Sequence, residues 1–403
     1  MYSMLIVTDF YKNRGVISMH KKILLVIVLC FMMTGCSLFP DGSISGSEEK
    51  EVQVNEDNNI KHINTTISSK VSVDADIPDY SGISLKEFKA QYKDWTEQQM
   101  TAVSDIFCNN REVKDYNDNN SERRVYTYND DSKLIIGTGL ISFYTGKVGE
   151  RNYNIYIGNV TKQENDAKEA FPQEELENLP KEKVIDEVRK VCDNLEIKLS
   201  EDVPVCYAFD SESATKVMMN YEDNLRYNKT KDGQIINEIT WNYEDEVYYM
   251  EFDVELEGIP ISRYSFKDNS KASFDTKLTV VYGRNGFEKF EVYSLYDIVE
   301  TDDNIKLADI DDIVKQLSAY LMYNNQLDEQ VINDIKLVYL PTKLAGSSNK
   351  GKPLTISPFW VCTVTKSLYA EKDGISSTDH EQNMIFINAQ NKDTYKSNNI
   401  GFK

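Results

Sequence analysis

Between Glu246 and Glu257 the chain alternates: Tyr248, Met250, Phe252, Val254 and Leu256 take every second position, with Glu251, Asp253 and Glu255 between them. Successive side chains of a strand point to opposite faces, so this pattern predicts an extended segment with one buried face. Gly258-Ile259-Pro260 breaks it and Ser262 to Phe266 resumes it. Thr276 to Tyr282 and Phe287 to Tyr293 then flank Arg284-Asn285-Gly286. Asn-Gly between apolar runs predicts a hairpin closed by a type I′ turn, with positive φ at both central residues. Upstream, Arg124 to Tyr128, Lys133 to Tyr144 and Asn152 to Val160 are rich in Tyr, Ile and Val and predict a three-stranded meander. Pro204 to Phe209, Ile239 to Tyr243, Ile335 to Leu340, Pro358 to Thr365 and Met384 to Ala389 read as further strands.

A different period separates these runs. Leu85, Phe88, Tyr92, Trp95, Met100, Val103 and Phe107 follow mostly helical spacing, and Ser84 with Glu87 fits a capping box, which predicts one amphipathic helix from Ser84 to Cys108. Lys181 to Leu195 and Ser211 to Tyr227 read as helices too. Asp309 to Met322 carries Ile310, Ile313, Val314, Leu317 and Leu321 on one face, with Asp309 where the helix dipole favours negative charge. A helix followed by antiparallel strands thus recurs about three times, which predicts an α+β protein with units at 84–165, 175–300 and 301–397.

The N-terminus belongs to no core. His20-Lys21-Lys22 precedes the apolar run Ile23 to Met33, which ends in Thr34-Gly35-Cys36. Crossing a bilayer takes about 20 apolar residues, so this shorter run fits the apolar region of a secretory signal. The segment resembles a bacterial lipoprotein signal, with Met33-Thr34-Gly35-Cys36 as its lipobox. That resemblance implies cleavage after Gly35, a diacylglyceryl group on Cys36, and anchoring on the extracytoplasmic face of the cell membrane. An ordinary signal peptide, with Cys36 incidental, is the competing reading. The length of chain ahead of the basic residues points to Met19 as the start. Residues 36–83 are rich in Ser, Asp, Glu, Asn and Lys and read as a disordered tether, with a reach of roughly 35–40 Å.

Charge removes one class of partner. The formal net charge is -21, and loss of Lys12, Arg14, Lys21 and Lys22 with the signal, against only Asp9, makes the exported part more acidic still. Such a body repels phosphate backbones, so nucleic acid is not an expected partner. Cys108, Cys192, Cys206 and Cys362 lack zinc-ligand spacing and lie in apolar surroundings; they read as buried free thiols, with a Cys192–Cys206 bridge as the alternative.

Catalytic signals are weak. Gly346 to Lys352 has the spacing of a phosphate loop, but Pro353 stands where Ser or Thr would bind magnesium, so it reads as a hairpin loop. Beyond the signal only His62 and His380 remain, each in a polar stretch without a triad neighbour. Asp74-Ala75-Asp76, Asp302-Asp303 and Asp309 to Asp312 match no calcium loop. The expectation is therefore no catalytic residue, no metal and no cofactor, although a pair of acids, as in a glycosidase, can arise from any acidic composition. Trp241, Tyr249 and Trp360, in predicted strands, are the candidate ligand-binding residues. A row of such rings facing water could stack on sugars or a peptide, and core packing is the competing role.

Ile335 to Pro341 with its Val338-Tyr339 and Pro341, Pro358-Phe359-Trp360 and Asn388-Ala389 together resemble the repeats of PepSY-like and YycI-type extracytoplasmic proteins, as does Gly258-Ile259-Pro260. Asn391-Lys392 departs from the pattern, which has Gly nearby. With the lipobox, the chain resembles lipoproteins of Gram-positive anaerobes. The resemblance implies a non-catalytic protein that binds or regulates another cell-envelope protein. A solute- or glycan-binding lipoprotein is the alternative, and an envelope hydrolase the third reading.

Overall fold

A computed structural model describes residues 51–55, 60–78, 80, 84–108, 111–119, 123–147, 168–220, 241–267, 271–303, 305–324, 328–344, 353–372 and 375–396. Two large sheets dominate them. The ten-stranded sheet runs β1 (Glu51–Asn55), β2 (Ile60–Ser68), β3 (Val71–Pro78), β17 (Glu329–Leu344), β18 (Leu354–Lys372), β19 (Ile375–Asn388) and β20 (Thr394–Lys396). β13 (Lys271–Ser273) joins β17, while β4 (Glu87–Tyr92) joins β18 and carries β16 (Tyr296–Asp302). The eight-stranded sheet runs β5 (Val113–Asn119), β6 (Arg123–Tyr128), β7 (Lys133–Gly137), β8 (Leu140–Tyr144), β15 (Gly286–Val292), β14 (Leu278–Gly283), β10 (Val247–Phe252) and β9 (Val205–Phe209). A small ribbon pairs β11 (Glu255–Leu256) with β12 (Ile259–Pro260). The helices are α1 (Glu97–Cys108), α2 (Lys181–Asn194), α3 (Ser211–Asn220) and α4 (Ile310–Asn324). Among the described residues, no helix is long and apolar enough to cross a membrane.

The architecture overturns the expected repetition of helix-then-sheet units: the protein is mostly sheet, and its strands interleave along the chain. β8, from the predicted first unit, pairs with β15 from the second, and β4 pairs with β18 from the third. One apolar cluster contains Val103 of α1, Val188 of α2, Met250 of β10, Leu317 of α4 and Ile387 of β19. The predicted units cannot fold apart, since each sheet buries its inner face against elements supplied by the others.

The disordered tether is the second correction. β3 lies inside it, and Val71, Val73, Ala75 and Ile77 are buried while Asp74 and Asp76 face out. β3 pairs in parallel with β17, whereas every other pair of named strands described is antiparallel. Four buried aliphatics suffice to dock a strand of otherwise polar composition, at about 25 cal/mol per Å² of apolar surface removed from water.

The predicted first helix divides. Phe88 and Ala90 are buried and Lys89 and Gln91 exposed, the alternation of strand β4. α1 begins only at Glu97, after a Thr96 cap: the Thr96 hydroxyl accepts from the Gln99 N–H (3.2 Å) and the Gln99 side chain accepts from the Thr96 N–H (3.1 Å). Leu85, Phe88 and Tyr92 fit helical spacing by coincidence.

Two finer expectations change as well. β10 is buried on both faces, with Tyr248, Met250 and Phe252 in the main core and Val247 and Tyr249 in a second cluster with Phe209, Ala214 and Val281. The 278–292 hairpin forms, but Gly286 alone has positive φ (96°), and the register shifts after Val281. A turn with positive φ at Gly286 alone replaces type I′, and the extra residue in the ladder is Glu288, between Phe287 and Lys289. The helices predicted at 181–195 and 309–322 and the strands at 335–340, 358–365 and 384–389 are present, the strands being longer. Asn152–Val160 and Gly346–Lys352 lie outside the described residues.

Candidate functional site

The three candidate aromatics do not converge. Trp241 precedes a 3-10 turn at Tyr243–Asp245 rather than lying in a strand, and it packs edge-on against Phe209, which stacks on Tyr249. Trp360 belongs to the main core, edge-on to Tyr80 with ring centroids 5.6 Å apart. Trp241, Tyr249 and Trp360 are 5%, 4% and 3% exposed, so none offers a ring face to a ligand. The expected stacking platform is corrected to core: two covered sheet faces leave aromatics on central strands nowhere else to point.

Sequence reasoning missed Arg284. From the β14–β15 turn its guanidinium lies 3.3 Å from the Tyr243 ring centroid, donates to the Tyr243 and Glu177 carbonyls (2.9 and 2.8 Å), and pairs with Glu246 at 2.8 Å. Glu246 in turn accepts from the Ser211 N–H at the start of α3 (3.1 Å). Its partners are scattered along the sequence, which carries no local signal for such a clamp.

Two acids share a polar row across the eight-stranded sheet. Register places Glu251 opposite Thr279, Thr279 opposite Glu291, and Glu291 opposite Ser142. Two strand spacings separate the backbones of Glu251 and Glu291, about 10 Å. Glu251 accepts from Lys277 (2.8 Å) and the Tyr249 hydroxyl (3.1 Å), with Arg263 at 3.7 Å. Glu291 pairs with Lys289 (2.8 Å) and accepts from the Ser142 hydroxyl (3.0 Å). Burial pushes the Glu251 carboxyl up, but Lys277, Arg263 and the hydrogen bonds outweigh it and hold the group below its ordinary value. Glu291 shows the same balance, burial being overcome by Lys289 and by hydrogen bonds. A glycosidase pair needs one carboxyl raised so that it keeps its proton at neutral pH. Here both are lowered, so neither is poised as a proton donor.

Other polar groups take structural positions. Among the described residues, no group of three or more His, Cys, Asp or Glu is placed to hold a metal. His62 lies between Asp74 (3.3 Å) and Asp76 (2.7 Å) on the outer face of β2 and β3. His380 sits in β19 opposite Ser367, not in a loop. Asp309 caps α4, its carboxylate accepting from the Asp311 N–H (2.8 Å). Cys108, Cys192, Cys206 and Cys362 are free thiols. Burial pushes all four up, Cys206 to about 12. Cys36 lies outside the described residues.

One surface remains unusual. Among the described strands β16 pairs only with β4, so no described strand lies along its other edge. Ile298 and Val299 are 39% and 56% exposed on this edge. Val299 is an extra residue in the ladder, for Ile298 pairs with Ala90 and Glu300 with Lys89. Asp297 accepts from the Asp94 N–H (3.2 Å), and Glu300 pairs with Lys89. Backbone groups that no described strand pairs, beside exposed aliphatics, form a surface on which another polypeptide can be received.

The body so defined is β-rich, with two large sheets and one principal core. No family model and no curated protein matches the chain. Among solved structures it is similar to an uncharacterized protein from Eubacterium rectale ATCC 33656, at 16% identity and a TM-score of 0.55, over 83% of this chain and 93% of that one. That likeness concerns the fold alone.

Proposed function

We propose that the protein is fastened through a lipid on Cys36 to the extracytoplasmic face of the cell membrane, where it binds or restrains another cell-envelope protein without catalysing a reaction. The anchor rests on the basic residues, short apolar run and lipobox that end at Cys36. The observation that carries the binding role is the β16 edge, along which no described strand lies, with Ile298 and Val299 exposed. Burial of Trp241, Tyr249 and Trp360 removes the residues on which glycan binding rested. Glu251 and Glu291, both held below the ordinary carboxyl value, are poorly suited to serve as an acid pair for hydrolysis, which favours the non-catalytic reading.

The two parts are tested separately. Labelled palmitate should enter the wild-type protein and not Cys36→Ala, which should move from the membrane to the soluble fraction; unchanged fractionation of the variant overturns the anchor. Cross-linking on intact cells should join the protein to one defined envelope protein, and a product ladder no different from that of an unrelated anchored protein overturns the binding role.

A further inference from the structure

We infer that the β16 edge receives an extended segment of the partner in which apolar and basic residues alternate. This rests on the binding role proposed above and specifies its chemistry. Register sorts the edge into two faces: Ile298 and Thr301, both exposed themselves, lie opposite the buried Ala90 and Phe88 and continue the side that β4 turns to the core. Asp297, Glu300 and Asp302 lie opposite Gln91, Lys89 and Glu87 on the other side. From Tyr296 to Asp302 there are three carboxylates and no cation; Lys89 pairs with Glu300 and Lys93 lies 3.9 Å from Asp297, but with Glu87 opposite Asp302 the face keeps a net negative charge. A strand added beyond β16 continues both faces, because directly opposed residues share a face. Its core-side positions meet Ile298, where an apolar residue extends the sheet's buried side. Its alternate positions meet the carboxylates, where Lys or Arg is favoured and Asp or Glu repelled. Main-chain hydrogen bonds hold such an added strand, and alternate side chains give it specificity. Edge strands are commonly protected by lysines and bulges; β16 has the bulge at Val299 but lacks the lysine. The extra residue confines regular pairing to the two short runs on either side of it.

The probe is a seven-residue peptide of alternating valine and lysine, matching the length of β16, with alternating valine and glutamate as its control. Titrated into the whole protein, the lysine peptide should slow amide exchange within Tyr296–Asp302 and the glutamate peptide should not. In Glu300→Lys/Asp302→Lys the preference should invert, with the lysine peptide bound roughly tenfold more weakly. Both positions are exposed, so the fold should tolerate the reversal, and an unchanged melting temperature checks this. Equal binding of both peptides, protection elsewhere than β16, or indifference to the charge reversal overturns the inference. A partner cross-linked equally well by wild type and by the charge-reversed variant also overturns it, while leaving the broader binding role standing. Loss of all cross-linking in wild type sinks that role instead.

Discussion

Glu251 is half-buried, and Lys277, Arg263 and the Tyr249 hydroxyl converge on it and hold its carboxyl below the ordinary value against the upward push of burial. Replacing it with Gln keeps the shape and strands two cations, which should cost about 3 kcal/mol in urea unfolding. The pH dependence follows from the sign of the shift. A carboxyl whose folded pKa lies below its unfolded value contributes fully above about pH 5, and that contribution is lost as pH falls through the folded pKa. Stability of wild type should therefore fall on acidification, and Glu251→Gln should flatten part of that limb. The cysteines give a second residue-scale outcome. Since Cys108, Cys192, Cys206 and Cys362 are unpaired, a reductant should leave the melting temperature unchanged, and a thiol reagent should label the buried Cys108, Cys192 and Cys362 only as the protein unfolds. Free thiols were readable from apolar neighbours, and Cys206 differs from the other three in being only half-buried. The fate of Tyr249 was not, because sequence alternation tells which residues share a face but not whether that face is covered.

Helices with a complete apolar stripe were legible: Val184, Val188 and Cys192 of α2, and Ile313, Leu317 and Leu321 of α4, all face the core as their spacing requires. β4 was not, since Leu85, Phe88 and Tyr92 satisfy a helical period while Phe88 and Ala90 satisfy a strand period over fewer residues. The real capping pair lies further along the chain, at Thr96 and Gln99. Thr96→Ala should destabilise the protein by about 1 kcal/mol, read from chemical denaturation, whereas Ser84→Ala should change nothing measurable. Arg284 joins elements that no local pattern connects. Arg284→Lys keeps the charge but cannot reach the Glu246 carboxylate, two carbonyls and the Tyr243 ring at once, so a loss of about 2 kcal/mol is expected, with earlier amide exchange in α3 because Glu246 also holds its first turn.

At the scale of the whole molecule, composition misled where pattern did not. Residues 36–83 are polar on average, yet Val71, Val73, Ala75 and Ile77 carry the two-residue period of a strand, and they lie in the main core, with β17 beside β3 in the sheet and α4 in contact with it. Removing residues up to Lys50 should leave thermal unfolding unchanged, while removal through Pro78 should abolish the cooperative transition by exposing the faces of β17 and α4; a tether would make the two deletions equivalent. Pairing of Gln330 with Val71 and of Asp334 with Asp76 also sets an order of events. Most of the polypeptide must emerge before β3 meets β17, so a chain made from the N-terminus keeps four aliphatic side chains waiting in water until its last quarter arrives. Slow maturation, and reliance on a holdase, follow from that long wait.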